Sequence, residues 1–364
     1  MTTTDVTKAD PQAAEALLGR MFGAALGAAE LFTIYLGDRH GIYQAIDANG
    51  PITASELAER TGLDHRYLVE WLQSQAISGL LTIDGTDVWT DRFELAPGVR
   101  EALLEPSSPF YAGGLAAIVP ATGRAFPQLV EAFRTGAGVP YTAYGEEAVQ
   151  AQEALNRPAY VNSLATEWVP AVPGLHDVLS AGARVADLGT GAGWSAIELA
   201  KAYPAVQVDG YDNDEDSISR ARRNAAEQGV ADRVDFEVVD LSDPAADWSP
   251  RYDAVSVRVP ARPAAPGRGT GPHATIAQST RDCHRDGRAC GEHFTAPGDP
   301  EERFFAACSP LWCVPQGVVG PDPRPIGPLM RPDALRSLAA EAGFSDATVA
   351  DIEHPFWRFY RLVP

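Results

Sequence analysis

Three glycines at alternate positions, Gly189, Gly191 and Gly193, separate a short predicted strand at 184–188 from a predicted helix that begins at Trp194. Glycine lets the backbone approach a ligand closely, and the start of a helix offers N–H groups that have no partner within the helix. Such a turn binds small ligands through its backbone. A glycine-rich turn alone is weakly specific, so the neighbouring elements decide what it holds.

The elements predicted after this turn supply carboxylates at the ends of two further strands. The second strand, VQVDGYD, ends at Asp212, about 20 residues beyond the turn, where a carboxylate can accept hydrogen bonds from ribose hydroxyls. A helix, DSISRARRNAAEQG, precedes the third strand, VDFEVVD, which ends at Asp240, and YDAVSV begins a fourth strand. Strands that alternate with helices predict an α/β fold with a mostly parallel sheet.

Residues 185–257 resemble the class I S-adenosylmethionine-dependent methyltransferases, whose fold is Rossmann-like. The alternate glycine spacing, with Asp187 two positions before the first glycine, favours S-adenosylmethionine over the wider glycine pattern of a dinucleotide site. A Rossmann-like domain for an unrelated nucleotide is the alternative. The resemblance implies that Asp187 and the glycines hold the methionine portion and that Asp212 binds the ribose. Asp240 and Leu241 would flank the adenine. The full set of implied cofactor-binding residues is Asp187, Gly189, Thr190, Gly191, Gly193, Asp212, Asn213, Asp240 and Leu241.

The N-terminal region, residues 12–48, is rich in Ala, Leu and Gly at helical spacing. This pattern predicts a packed helix that forms the seam of a homodimer. Glu30 interrupts the most apolar stretch, Met21 to Leu36, which is too short to span a bilayer comfortably. The apolar stripe consists of Leu17, Met21, Ala24, Ala28, Leu31 and Ile34.

A winged helix is predicted next. Thr53 with Glu56 three residues later forms a capping box, and a second helix follows from about Asp64 to Leu80. A hairpin, LTIDG–TDVWT, has Asp84–Gly85 near its tip. The second helix carries Asp64, His65, Arg66 and Glu70 and no Lys, whereas a recognition helix normally brings Arg or Lys to phosphates and base edges. The prediction is therefore a dimerisation and substrate-lid module, with DNA binding as the alternative.

Composition restricts the partners and the compartment. The 364 residues carry 29 Lys and Arg against 49 Asp and Glu, a net charge of −20 that repels phosphate and disfavours nucleic acid and anionic membranes. Four Cys make a disulfide scaffold unexpected, and the N-terminus lacks a signal-peptide pattern. A cytoplasmic protein is predicted.

With the winged helix in front, the whole chain resembles the two-domain O-methyltransferase-like group. The predicted fold class is a Rossmann-like, mostly parallel α/β sheet preceded by a mainly helical winged-helix domain. The domains are expected at 1–104, at 105–175 as a helical connector and substrate lid, and at 176–364. Aromatic residues are frequent in the connector, and the candidate substrate-binding residues are Tyr144, Tyr160, Trp168 and Met330.

The resemblance implies methyl transfer to a small, hydrophobic or aromatic metabolite. A substrate atom attacks the sulfonium methyl of a cofactor that is already reactive, so the protein mainly supplies proximity and alignment. The base in this family is often a His on the loop after the fourth strand. Because His273, His284 and His293 do not sit at that position, no catalytic residue is assigned. The rival functions are a catalytically impaired cofactor-binding relative and a winged-helix transcriptional regulator.

Residues 258–290 do not fit the expected pattern. These 33 residues contain no Leu, Met, Phe, Tyr or Trp, and six Arg against two Asp give them a net charge of +4. A buried parallel strand normally needs a near-continuous Val, Ile and Leu run. We therefore expect the sheet to lack a proper fifth strand. Metal binding by the nearby Cys and His residues is not predicted, because no CxxC pair occurs.

Three readings of residues 258–290 remain open: a compensated frameshift, a difference between the reported and natural sequences, and a tolerated insertion. Shifted by one base, the codons of Arg258–Pro263 permit Glu-Cys-Leu-His-Asp-Leu, which resembles the family's loop with its His-Asp pair. The same shift at Asp282–Gly291 permits an apolar strand that ends in carboxylates. The nucleotide sequence across codons 255–292 and peptide mapping of the natural protein distinguish these readings.

Overall fold

The computed structural model describes residues 10–240, 252–259, 275–280, 296–319, 327, 332–354 and 356–363. The chain divides into two compact units. The N-terminal unit comprises Met1–Glu105 and Tyr111–Pro120, and the C-terminal unit comprises Pro106–Phe110 and Ala121–Pro364.

The N-terminal unit is a winged helix behind a long N-terminal helix. Its buried centre contains Ile46, Leu57, Leu72 and Phe93, which are almost fully inaccessible to solvent. Its elements are α1 (Pro11–Arg39), α2 (Ile42–Asn49), α3 (Ala54–Thr61), α4 (His65–Ile77), β1 (Leu81–Ile83), β2 (Phe93–Leu95) and a short helical turn (Arg100–Leu104).

The second strand of the wing lies later in the chain than predicted. Its residues are Phe93–Leu95 rather than the expected TDVWT segment, within which Trp89 is about half exposed. The fully buried ring of Phe93 and a backbone bridge between Phe93 and Ile52 fix the strand at this position. Asp84 and Asp91 instead bond to backbone N–H groups in the loop between the strands.

Among the described residues, the C-terminal part of α1 is the part that packs against the rest of its unit. The indole N–H of Trp71 donates to the carbonyl of Thr33 at 2.8 Å, and Gly37 is buried. Leu17 and Met21 of the predicted apolar stripe are 48% and 63% exposed, so the described residues leave this half of the stripe uncovered. With 29 residues, α1 is long and apolar enough to cross a membrane by length and composition, but a single such helix near the N-terminus is weak evidence.

The C-terminal unit begins with a helical connector and continues into an α/β sheet domain. The connector elements are the end of α5 (Gly113–Thr135), a turn at Tyr141–Tyr144, α6 (Glu146–Ser163), a turn at Leu164–Trp168 and α7 (Val169–Ala171). The elements that follow are α8 (Leu175–Ser180), β3 (Arg184–Leu188), α9 (Trp194–Ala202), β4 (Gln207–Asp212), α10 (Glu215–Glu227), β5 (Val234–Val238), β6 (Ala254–Val259), β7 (Thr275–Thr280), α11 (Pro300–Cys308), α12 (Val314–Gly317), α13 (Pro332–Glu341), β8 (Asp346–Val349) and β9 (Trp357–Val363).

The sheet of this unit has the order β5-β4-β3-β6-β7-β9-β8. Strands β5, β4, β3, β6 and β7 are parallel to one another, and β9 runs antiparallel to both of its neighbours, β7 and β8. From β3 the chain continues outward to β4 and β5 on one side of the sheet, and it then crosses to β6 and β7 on the other side. The strand order therefore reverses between β3 and β6. In open parallel sheets, ligands bind at the carboxyl ends of the strands at such a switch point. The predicted fold class is confirmed.

The expectation that the sheet lacks a fifth strand was wrong. Residues Thr275–Thr280 form β7, which pairs in parallel with β6 and antiparallel with β9. Pairing on both sides gives this segment backbone hydrogen bonds that its weakly apolar sequence does not predict. Residues 260–274 and 281–290 of the anomalous segment lie outside the described residues, as do His273, His284 and His293.

The capping box of α3 provides a stability prediction. The side chain of Thr53 caps the helix. Hydrogen bonds from the backbone N–H of Thr53 and from Arg92 to the carboxylate of Glu56 lower the pKa of Glu56 to about 2. The Thr53→Ala substitution should destabilise the fold by about 0.5–2 kcal/mol.

The lowered pKa of Glu56 predicts a pH-dependent stability. The contribution of Glu56 to the free energy of unfolding is present above pH 4.5 and is lost as the pH falls towards 2. The difference in melting temperature between wild type and Glu56→Gln should therefore shrink from pH 5 to pH 3. The exposed Glu59→Gln is the control, and a pH-independent difference for Glu56→Gln would contradict the prediction.

Candidate functional site

The glycine turn between β3 and α9 has a backbone that only glycine adopts easily. Gly189, Gly191 and Gly193 have φ angles of 74°, 54° and 84°, all in the left-handed region. The N–H groups of Gly189 and Thr190 both donate to the carbonyl of Tyr211, at 2.8 and 3.0 Å. The turn is therefore fastened to the end of the neighbouring strand β4, at the carboxyl edge of the sheet.

Close packing is a second reason for glycine at the end of the turn. A side chain at Gly193 would place its Cβ 2.7 Å from the ring of Phe236 and 2.9 Å from the methyl of Ala221. The turn thus lies directly against α10 and β5, which leaves no room for a larger residue.

Asp187, at the end of β3, is fully buried below the turn. Its carboxylate accepts hydrogen bonds from the hydroxyls of Thr190 at 2.7 Å and Ser195 at 2.5 Å, and from that of Ser256. A buried carboxylate needs such donors because burial without them is costly. Thr190 therefore turns inward, towards Asp187, and contributes its backbone to the surface of the turn.

Asp212 lies at the end of β4, beside the turn. One carboxylate oxygen accepts the N–H of Gly191 at 2.8 Å, and the other accepts the N–H of Asp214 at 3.1 Å. Asn213 follows and is exposed. The N–H of Val239 donates to the carbonyl of Asp212 at 2.8 Å, which brings the exposed Asp240 to the same edge. The described carboxylates predicted for the cofactor therefore meet at one place, whereas Leu241 lies outside the described residues.

Tyr141 belongs to this edge, and sequence reasoning did not assign it a role. Its pKa is raised by burial and further by the negative charges of Asp212 and Asp214. The phenol therefore stays neutral in the field of these two carboxylates. The separation of 71 residues between Tyr141 and Asp212 explains why no sequence motif could have indicated this neighbour.

Tyr144 occupies a packed interior rather than an open surface. Its ring is fully buried and lies 4.5 Å from that of Trp312, and its hydroxyl donates to the carbonyl of Leu311 at 2.5 Å. Burial raises the pKa of Tyr144 to about 12. These contacts favour a packing role for this candidate substrate residue.

Tyr160 and Trp168 are brought together with each other and with the closing strand. Their ring centroids are 5.5 Å apart, and the rings of Trp357 and Phe359 pack against them. Both residues line an apolar cavity of about 70 Å³ that reaches Asp187. The indole nitrogen of Trp168 is buried and has no hydrogen-bond partner among the described residues. Met330, the remaining substrate candidate, lies outside the described residues.

No group of three or more His, Cys, Asp or Glu within the described part of the chain is arranged to hold a metal ion. Cys308 and Cys313 are free thiols whose pKa values are raised by burial. Cys283, His284, Cys290 and His293 lie outside the described residues.

Comparison with known families identifies both parts of the chain. Residues 179–264 match the family described as a methyltransferase domain, and residues 28–92 match the Rv2258c-like winged HTH domain. No protein of curated function is significantly similar in sequence.

Solved structures share the fold of the whole chain. The mitomycin 7-O-methyltransferase MmcR is 19% identical, with 97% of this chain and 100% of that chain covered and a TM-score of 0.64. PigF, solved with SAH, is 18% identical, with 96% and 99% covered and a TM-score of 0.68. Human N-acetylserotonin methyltransferase, in complex with SAM, is 17% identical, with 100% and 99% covered and a TM-score of 0.64.

The chain therefore contains segments that match a winged-helix domain and a methyltransferase domain, and it shares the two-domain fold of these solved structures. Of these structures, PigF holds SAH and human N-acetylserotonin methyltransferase holds SAM.

The glycine turn yields a test with a matched control. Gly193→Ala should lower the affinity for S-adenosylmethionine by more than tenfold, because the new Cβ would displace the turn from Phe236. Gly229→Ala carries similar backbone strain at a φ of 70°, but nothing lies within 4 Å of its Cβ. Calorimetric titration should give that control an affinity near that of the wild type. Equal affinities for the two variants would show that the packing of Gly193 does not matter.

Proposed function

We propose that this enzyme methylates a small, hydrophobic or aromatic metabolite at the carboxyl edge of its sheet. The observation that carries the proposal is the convergence of the glycine turn, Asp187, Asp212 and Asp240 at the switch point between β3 and β6.

The residues at this edge fit S-adenosylmethionine. The turn offers close backbone approach, and the carboxylate of Asp212 lies where ribose hydroxyls can donate to it. Tyr141 adds a neutral phenol beside that carboxylate. Asp240 and Leu241 are assigned to the adenine, Asn213 to the ribose end, and the turn above Asp187 to the methionine portion. When bound, the cofactor supplies an activated methyl group.

The protein's own contribution is alignment and exclusion of water. A reaction with an activated methyl donor gains most from holding the acceptor atom in line with it. The apolar surfaces of Tyr160 and Trp168 near Asp187 support an apolar acceptor. Their cavity is smaller than the roughly 300–1,000 Å³ of typical small-molecule sites, so the described part of the cavity accommodates only a portion of an acceptor.

A role in DNA binding is the second candidate, and the surface of the winged helix disfavours it. Arg66 on α4 forms an ion pair with Glu70, and its guanidinium lies 5.3 Å from the ring of Trp89. The Arg of this helix is thus engaged within the fold, and the net charge of −20 repels phosphate. We propose that the domain serves dimerisation and does not bind nucleic acid.

A homodimer formed through α1 accounts for the exposed half of that helix. Leu18, Met21 and Phe22 are 68%, 63% and 70% exposed, an apolar surface that a soluble protein normally covers. Gly19, Gly23 and Gly27 recur at every fourth position, and nothing lies within 4 Å of a Cβ built at any of them. Small residues at this spacing allow a second helix to approach closely. A second copy of the chain is the proposed occupant, and a membrane is the alternative.

We also propose that the protein is cytoplasmic. Cys308 and Cys313 are free thiols, as expected in a reducing compartment. The acidic surface also disfavours attachment to anionic lipids.

The cofactor assignment is tested at Asp212. Asp212→Asn removes a charged acceptor, and each such hydrogen bond contributes about 1.5–3 kcal/mol, so the Kd for S-adenosylmethionine should rise roughly ten- to a hundredfold. The exposed Asp235→Asn on β5 is the control. Calorimetry that finds equal affinity for wild type and Asp212→Asn would refute the assignment.

Turnover is measured separately, by S-adenosylhomocysteine release with a panel of phenols and other hydroxylated aromatic compounds. Release that depends on an added acceptor supports the proposal. Cofactor binding without turnover on the whole panel would instead favour the catalytically impaired relative.

The dimer is tested with Gly23→Leu, because no described residue lies within 4 Å of a Cβ at Gly23. Light scattering at micromolar concentration should report a dimer for wild type and a monomer for this variant. Gly123→Leu is the matched control, since Gly123 is also helical and open. A wild-type monomer would contradict the proposal, and a wild type that binds vesicles without dimerising would point to the membrane.

A further inference from the structure

The side chain of Glu153, on connector helix α6, is only 9% exposed and accepts three hydrogen bonds. Its carboxylate accepts from the Nε of Arg220 at 2.7 Å, the indole N–H of Trp194 at 2.9 Å and the amide of Asn224 at 2.8 Å. Neither the glycine pattern nor the strand-end carboxylates indicate this residue.

The donors to Glu153 adjoin the glycine turn. Trp194 directly follows Gly193 and is the first residue of α9. The amide of Asn224 also donates to the carbonyl of Ala192, inside the turn, at 3.0 Å. Glu153 is therefore linked to the turn at two places: directly through the side chain of Trp194, and through the amide of Asn224, which also bonds to the backbone of Ala192.

Arg157, one turn further along α6, also contacts Trp194. The guanidinium of Arg157 lies over the ring of Trp194, 4.0 Å from its centroid, and its Nε donates to the hydroxyl of Ser107 at 3.1 Å. Trp194 is thus held at its nitrogen by Glu153 and across its face by Arg157, both from the connector helix.

We infer that Glu153 is a positioning residue, which sets the affinity for the cofactor by holding the glycine turn in its binding conformation. This inference rests on the proposed function. A turn with three left-handed residues is costly to order, and binding is tighter when the order exists beforehand. Glu153 provides that order from outside the cofactor site. Because Glu153 belongs to α6, cofactor affinity is also coupled to the placement of that helix, which also carries Tyr160.

The test is Glu153→Gln, which keeps the shape of the side chain but removes its charge and an acceptor oxygen. Its control is Glu198→Gln on α9, where another poorly exposed carboxylate pairs with Lys201 at 2.8 Å. We expect calorimetry to give Glu153→Gln at least a tenfold higher Kd for S-adenosylmethionine and Glu198→Gln a change below twofold. Melting temperatures without cofactor should be similar for the two variants.

Hydrogen exchange without cofactor gives a readout that a merely structural role would not move. Amides of residues 189–194 should exchange faster in Glu153→Gln, while those of β4 and β5 stay as in wild type. Unchanged affinity, or faster exchange throughout the unit in proportion to a lower melting temperature, would overturn the inference. If Glu153→Gln does not fold, Trp194→Phe is used instead, because it removes one hydrogen-bond donor to Glu153. We expect this variant to show the same faster exchange at residues 189–194 and a smaller loss of affinity. Exchange and affinity equal to wild type in Trp194→Phe would also overturn the inference.

Failure of the proposed function is distinguishable from failure of this inference. A wild-type protein that does not bind S-adenosylmethionine overturns the cofactor assignment, whereas exchange at residues 189–194 still decides whether Glu153 holds the turn.

Discussion

The left-handed backbone of the glycine turn is the constraint on which the site depends. Three residues within five take φ angles that side chains disfavour, and the turn keeps this shape because its N–H groups are satisfied from β4. The carbonyl of Tyr211 accepts two of them and the carboxylate of Asp212 accepts a third. The parallel pairing of β3 with β4 places these acceptors under the turn, so the fold of the sheet and the shape of the turn depend on each other.

Beneath the turn, Asp187 joins three elements through its buried carboxylate. The hydroxyls of Thr190, Ser195 and Ser256 come from the turn, the helix α9 and the neighbouring strand β6. A buried carboxylate that lost one of these donors would be left partly unsatisfied, at a cost of about 1–3 kcal/mol. The same group that the family resemblance assigns to the cofactor therefore also holds the start of the site together.

The sequence by itself determined the parts of this protein that depend on short-range interactions. The order of strand, glycine turn and helix, the capping box at Thr53 and the carboxylates at the strand ends are set by residues close together in the chain. Left-handed φ angles and helix caps are local requirements, so glycine and Thr at these positions indicate them directly. The fold class followed from these patterns, and the class of cofactor from their resemblance to a known family.

Tertiary structure alone decided the features that depend on long-range pairing and packing. The second wing strand begins at Phe93 because its ring is buried in the core, and Thr275–Thr280 is a strand because β6 and β9 pair with it. Tyr141 is close enough to Asp212 for its pKa to respond to that charge, and Glu153 bonds to Trp194 beside the glycine turn, although each pair is far apart in the chain. No local pattern records such contacts, because they arise only when the sheet and the connector helix are packed together.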